Sequence, residues 1–512
     1  MALGRTYAVA LVGMRAHLVE VEAHLAASIP AFSLVGLPDA ALSEARDRVR
    51  AAVVSAGLAW PNRRITVNLS PATLPKSGSG FDLAVAVAVL AGAGLVEAER
   101  AAPVVHLGEL GLDGRLRPVR GVLPAVAGAV AAGRTRVVVP TGNADEARLV
   151  LGADVRAADH LAQVAAWYGA DVEVPDDVPP VRDSTPASVP SSPAADLADV
   201  LGQDDARRGL EVAAAGGHHL LLVGPPGTGK TMLARRLPGL LPDLDTEASV
   251  EVTAVHSVAG TFDAAQGLVR RPPFEDPHHT ASPAAIVGGG SGVARPGAAS
   301  RAHHGVLFLD EAPHFAAAVL QSLRQPLEHG ELVLHRSAGA ARYPARFQLV
   351  MAANPCPCGR YSGKGADCTC RAEARRRYFD RLSGPLLDRV DLQLEVPPPR
   401  SGVALGQSPP ESTAQVAARV AAARDRARTR LAGTGWRTNA EVPGPWLRGR
   451  LERTDPVYAE LGQAVDRRWL SLRGADRVLR VAWTVADLAG AERPSTQHLG
   501  EAMVLRTRAG AA

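Results

Sequence analysis

The stretch that most constrains this chain is a glycine-rich loop set between an apolar run and a helix start. Leu220-Leu221-Leu222-Val223 leads into Gly224-Pro225-Pro226-Gly227-Thr228-Gly229-Lys230-Thr231, and Met232-Leu233-Ala234-Arg235-Arg236-Leu237 follows. A buried strand, a glycine loop and a helix start are the context of a phosphate-binding loop. The glycines let backbone N–H groups close around phosphate oxygens, and the helix N-terminus adds its positive dipole end. Lys230 is then the group that reaches the β- and γ-phosphates, and the Thr231 hydroxyl is a ligand for Mg²⁺.

A second element adds chemistry to binding. Gly305-Val306-Leu307-Phe308-Leu309-Asp310-Glu311 reads as a buried parallel strand that ends in two acids. Asp310 is expected to hold the Mg²⁺, directly or through water. Glu311 is expected to polarise the attacking water, as phosphoryl transfer requires. The two motifs together predict hydrolysis of a nucleotide, with ATP and Mg²⁺ as cofactors.

The chain has 512 residues, enough for two to four domains, with 46% hydrophobic and 21% charged residues. A net charge of +4 permits nucleic-acid contact without demanding it. The longest apolar run, Leu83 to Val96, is short of the roughly 20 residues of a membrane span. The N-terminal apolar patch is followed by Arg15 and Glu20 and by no cleavage site. A cytoplasmic protein with no membrane partner is expected.

Residues 1–170 read as one α/β domain. Strands are expected near Tyr7 and His17, paired as a hairpin, and at Arg64–Leu69 and Arg136–Pro140, with helices over Leu42–Ala56 and Phe81–Ala91. Gly108-Glu109-Leu110-Gly111 to Val119, and Ala131-Ala132-Gly133 before the Val137 strand, resemble the proteolytic domain of Lon, a ribosomal S5 domain 2-like α/β fold. Lon uses a Ser-Lys pair. In that alignment the serine position falls on Gly80 and the lysine position on Leu123, both chemically inert. Lys76, Ser77 and Ser79 lie nearby without a placed base, so a non-proteolytic domain serving assembly or substrate contact is expected. Residues 171–195 carry six prolines and no periodicity, which marks a semi-rigid linker.

Residues 196–400 resemble an AAA+ ATPase core. Val200-Leu201-Gly202-Gln203 resembles the stretch that packs on adenine. Residues 250–304 look like a long insertion between the two nucleotide motifs, and Glu331 to Phe347 like a hairpin with Arg336, Arg342 and Arg346 near its tip. That pairing resembles the helicase-like AAA+ branch, whose hairpins point into a ring pore, where these arginines would meet phosphates or form a solvated edge. Asn354 falls at the sensor 1 position. All four cysteines, Cys356, Cys358, Cys368 and Cys370, follow at once. In a reducing cell they favour a structural Cys₄ zinc site, with a redox-labile loop as the alternative. The segment from Tyr378 to Asp391 resembles the one that carries an arginine finger, assigned to Arg389 with Arg381 in reserve. Residues 401–512 read as a helical lid, with Arg473 as the sensor 2 contact and Arg477 as its alternative.

Over nearly its full length the chain resembles the YifB/ComM family of Mg-chelatase-like AAA+ ATPases. The residues that carry this are Phe32 to Asp39, Gly80-Phe81-Asp82-Leu83, Pro277-His278-His279-Thr280, Gly305 to Glu311, Asn354 to Gly359 and Ser383 to Arg389. One departure is Ala298 after Pro296-Gly297, where the family usually carries a Glu. The resemblance implies a hexameric motor acting on single-stranded or branched DNA, a helicase of recombination or natural transformation. A Mg-chelatase-type motor and an ATP-driven remodeller of proteins stand as rivals. The doublets His218-His219, His278-His279 and His303-His304 are read as structural or DNA-proximal.

Overall fold

The structure is a computed structural model that describes residues 2–39, 42, 44–76, 78–176, 178–181, 195–290, 294–336, 339–361, 367–382, 384–398, 410–452 and 454–506. The linker residues 182–194, Ser77, Ser383, the start of the lid at 401–409 and the Arg336 side chain lie outside the described residues.

The N-terminal unit is built on a seven-stranded mixed sheet. Its strands are β1 (Ala2–Val12), β2 (Arg15–Ala26), β3 (Ala31–Val35), β4 (Arg64–Ser70), β5 (Val105–His106), β6 (Arg136–Pro140) and β7 (Asp154–Ala158), in the order β3-β4-β2-β1-β5-β6-β7. β1 and β2 form the expected antiparallel hairpin, and β5, β6 and β7 run parallel. Helix Asp82–Ala93 is apolar on every face and almost wholly buried, which fits a helix sunk in a core rather than laid on a surface. At the Lon-like positions Gly80 sits in a short 3₁₀ turn and Leu123 is buried at the start of helix Val122–Ala131. Ser79 pairs with Glu109, while the Lys76 ammonium caps the Pro71 carbonyl. No Ser-Lys pair forms among the described residues.

The central unit is a five-stranded parallel sheet. Its strands are β8 (Leu220–Val223), β9 (Phe274–Glu275), β10 (Val306–Leu309), β13 (Gln348–Ala353) and β14 (Leu392–Glu395), in the order β9-β10-β13-β8-β14. The hairpin β11 (Glu331–Arg336) and β12 (Gly339–Pro344) precedes β13. β8, β10 and β13 are buried on both faces, as the continuous apolar runs require of a covered parallel sheet. The period of two divides them. Leu220, Leu222, Phe308, Val350 and Ala352 enter one core, and Leu221, Leu307, Leu309, Leu349 and Met351 enter the other. Residues 250–304 are not all excursion, because β9 is the outer strand of the sheet and pairs with β10.

The lid is helical, with Thr413–Arg430, Pro456–Asp466, Leu472–Ala489 and Thr496–Arg506 as its main elements. Ser412 and Ser471 cap the two longest helices, each accepting a bond from a first-turn N–H. The arginines of Thr413–Arg430 fasten the lid down. Arg419 reaches Glu211 at 2.6 Å and Arg424 holds the Ala214 carbonyl at 2.6 Å. A buried chain from Asp391 through His218 (3.1 Å) to Thr484 (2.8 Å) ties the foot of the sheet to the lid. The β1–β2 turn touches the hairpin, where Met14 N–H donates to the Arg342 carbonyl at 3.3 Å. No described helix is long and apolar enough to cross a membrane.

Candidate active site

Register places the nucleotide motifs side by side. Val223 lies opposite Ala353, and Leu309 opposite Met351. The loop after β8, the acids after β10 and Asn354 after β13 therefore leave the sheet at the same edge. Gly229 caps helix Lys230–Leu240 with φ +90°, a left-handed conformation that glycine adopts without strain. A Cβ on Gly224 would collide with the Val396 carbonyl.

Within this loop the Lys230 ammonium donates to the carbonyls of Gly224 (2.7 Å) and Pro225 (2.8 Å) and to Asn354 Oδ1 (3.3 Å). Burial pushes its pKa down, and the charges of Asp310 and Glu311 pull it back. The Thr231 hydroxyl donates to Asp310 Oδ2 at 2.7 Å, so the two expected Mg²⁺ ligands already touch. Glu311 stands at φ +51°, a conformation that costs a non-glycine residue about 1 kcal/mol or more. Its N–H donates to Asp310 Oδ1 at 2.9 Å. The oxygens of Thr231 and Asp310 fit a hard divalent cation that also takes phosphate oxygens.

The structure adds a partner that sequence spacing does not reveal. His279, carried in by the stretch after β9, lies 3.5 Å from Glu311 Oε2. His278 packs on it at 4.2 Å between ring centroids and His314 at 6.1 Å. His314 meets the edge of the buried Tyr378 at 5.8 Å. His279, Arg235, Asp276, Thr231, Asp310 and Glu311 line a cavity of about 320 Å³. The one available sequence signal was the position of Pro277-His278-His279-Thr280 between the two nucleotide motifs.

The other two histidine doublets serve structure. His219 Nδ1 accepts from Leu349 N–H at 3.0 Å. His303, His304 and Glu251 converge closely enough to resemble a metal triad. However, His303 Nδ1 accepts from Arg346 N–H at 3.0 Å, which leaves the proton of the neutral ring on Nε2. That proton is donated to Glu251 at 3.1 Å, so Nε2 has no lone pair for a metal.

The four cysteine sulfurs all lie within 4.8 Å of one another. Cys356 is 3.3 Å from Cys358 and 3.7 Å from Cys368, and Cys358 is 3.8 Å from Cys368. Tetrahedral ZnS₄ with Zn–S of about 2.3 Å needs sulfurs about 3.8 Å apart. The set therefore fits zinc with shifts of about an ångström or less.

Arg389 lies just before β14, and Asp391 N–H donates to the His219 carbonyl at the foot of β8. It is thus at the opposite edge of the sheet from the phosphate loop, separated by a four-residue strand, about 13 Å. It pairs with Glu328. Burial, then the charges of Arg324 and Arg473, push its guanidinium below the usual arginine range. Arg473, in the first turn of Leu472–Ala489, is close enough for its charge to act on Arg389. Arg477 instead approaches the buried Asp391 (3.8 Å), and burial pushes it down to about 10. Arg381 is exposed at the end of helix Ala372–Asp380. In the hairpin Arg342 pairs with Glu331 at 2.7 Å near the base, and Arg346 follows the hairpin, so neither stands near its tip; of the three arginines Arg336 belongs to the last described rung, Arg336–Gly339.

Residues 196–403 match the family described as magnesium chelatase, subunit ChlI. Residues 21–143 match subunit ChlI of Mg-chelatase, and residues 410–506 its C-terminal region. An uncharacterized protein of Mycobacterium tuberculosis is 53% identical over 506 residues, covering 99% of both chains. The uncharacterized protein YifB of Escherichia coli is 42% identical over 510 residues, 99% of this chain and 97% of its own. The competence protein ComM of Haemophilus influenzae is 40% identical over 507 residues, 99% of this chain and 98% of its own. The chain belongs to the YifB/ComM family of Mg-chelatase-like AAA+ ATPases. Membership in that family implies ATP and Mg²⁺, and the loop at Gly224–Thr231 with the acids at Asp310 and Glu311 is where this chain's residues fit them.

Proposed function

We propose that the chain is an ATP-hydrolysing motor that assembles as a homo-oligomer, a hexamer, and works on single-stranded or branched DNA as a helicase or branch-migration factor. The observation that carries this reading is the meeting of Lys230, Thr231, Asp310, Glu311 and Asn354 at one sheet edge. The phosphates of ATP lie in the loop Gly224–Thr231, with Lys230 on the β- and γ-oxygens. Thr231 and Asp310 would hold Mg²⁺, which would neutralise phosphate charge. Glu311 accepts a proton from the attacking water, and Asn354 orients that water. Arg389 stands too far along the sheet to serve its own loop, and Arg473 is paired with it in this role. They act on the nucleotide of a neighbouring subunit.

Around this engine the other elements take supporting roles. The hairpin β11–β12 is the element that meets the DNA backbone. The N-terminal Lon-like unit, in contact with that hairpin through Met14, serves assembly or substrate contact. Cys356, Cys358, Cys368 and Cys370 hold a structural zinc that stiffens the loop after Asn354. One relative's name, competence protein, supports a role with incoming DNA.

The test is strand displacement with fluorescently labelled forks and four-way junctions. ATP-dependent separation, abolished in Glu311→Gln, is the expected result. Steady hydrolysis with no separation of any junction would favour a protein-remodelling or Mg-chelatase-type motor instead.

A further inference from the structure

A second arginine-rich site lies away from the phosphate loop. Helix Arg324–His329 runs into the hairpin and lines a cavity of about 440 Å³ with Arg324, Gln325, Glu328 and Leu332. Glu328 is the residue that pairs with Arg389. Arg324 Nε is shut from solvent and has no hydrogen-bond partner among the described residues. A buried donor left unsatisfied is costly, and an acceptor that reaches it when the Arg324 side chain shifts toward a ligand recovers that cost. Arg324 and Glu328 thus share one cavity wall, Glu328 pairs with Arg389, and the charge of Arg473 also acts on Arg389. Next to Arg473, Leu472 is 73% exposed and Trp469 is 70% exposed. Exposed aromatic and aliphatic anchors beside arginines are the composition of a protein interface.

We propose that Arg324 is a third arginine acting in trans, reaching with Arg389 the γ-phosphate of the nucleotide held by a second copy of this chain. The proposal rests on the oligomeric reading above and extends it to a residue outside the finger and sensor motifs. The occupant that fits is an anion with several oxygens, as a terminal phosphoryl group is, and the guanidinium fork matches two of those oxygens at once. Glu328 is then the internal stand-in that holds Arg389 until that phosphate arrives.

The test is subunit complementation with the full-length chain. Lys230→Ala keeps the arginines but has no working site, and Arg324→Ala keeps the site but lacks the arginine. Each alone is expected to lose about 100-fold or more in ATP turnover. Mixed at equal amounts before nucleotide is added, they are expected to recover at least about tenfold over either alone, because some sites then pair an intact loop with an intact Arg324. A parallel mixture of Lys230→Ala with Arg389→Ala is the control. Recovery in the control but not with Arg324→Ala overturns the assignment of Arg324 alone. Recovery in neither overturns the oligomeric reading together with it. Thermal melting of Arg324→Ala within a few degrees of wild type is the companion result. A collapsed transition shared by Arg324→Lys would make the residue structural and overturn the proposal.

Discussion

Removing the buried thiol of the cysteine cluster, by Cys356→Ser, tests the zinc assignment quantitatively. The four thiols do not start equal. Burial pushes Cys356 up to about 11, and Cys370 also lies above its ordinary value. Backbone N–H donation to its sulfur lowers Cys358 to about 6. At pH 7.5 Cys358 is therefore already a thiolate, while Cys356 and Cys370 carry protons. Zinc binds thiolates only, so loading releases at least about two protons per chain. Affinity should then climb about 100-fold per pH unit around pH 7. Metal-free protein, prepared with chelator and reductant, is titrated with zinc in a weakly buffered indicator dye, and bound metal is counted by mass spectrometry. One zinc and two or more protons per chain are expected, with affinity in Cys356→Ser lowered more than about 100-fold. Release of less than one proton, or less than a tenth of a zinc per chain, refutes the reasoning.

Three further outcomes follow from the site and its supports. His279→Ala removes a pair whose members are one-third and one-half exposed, worth at most about 1 kcal/mol, so kcat should change by no more than about fivefold with KM unchanged; a 100-fold loss in steady-state turnover would make His279 a direct participant. Arg473→Ala should lower kcat with little change in Tm, whereas Arg477→Ala, which strips a neighbour from the buried Asp391, should lower Tm first; the reverse pattern in kinetics and melting would exchange their roles. Burial holds His219 and His303 down to about 4. Their folded-state pKa lies below the unfolded value near 6.5, so the unfolded chain binds more protons and stability is lost as pH falls from about 6.5 toward 4. Each should cost about 2 kcal/mol at pH 5, and urea unfolding that is flat between pH 7 and pH 5 would contradict this.

Local pattern sufficed where function is written in consecutive residues. The phosphate loop needs its glycines, Lys230 and Thr231 in one run, and the acidic strand needs four apolar residues before Asp310 and Glu311, so both were legible. The helical character of the C-terminal region was legible as well, and Thr413–Arg430 and Thr496–Arg506 are among its helices. What escaped depends on distant chain segments. β9 has two residues, too few to show a period, and is a strand only because β10 offers an edge. His279 meets Glu311 across 32 positions, and nothing in either stretch encodes the meeting. Arg342 reads as a solvent-facing base until the register sets Glu331 near it. Arg324 resembles any helical arginine until the fold closes over its Nε.

In the proposed motor, ATP hydrolysis at Lys230, Asp310 and Glu311 drives work on DNA. The most direct measurement is steady-state ATP turnover by the full chain and by Glu311→Gln, each with no DNA, with single-stranded DNA and with a fork. Turnover stimulated severalfold by DNA is expected in the wild type, and ATP binding without turnover in Glu311→Gln. Turnover indifferent to every DNA, or preserved in Glu311→Gln, would contradict it.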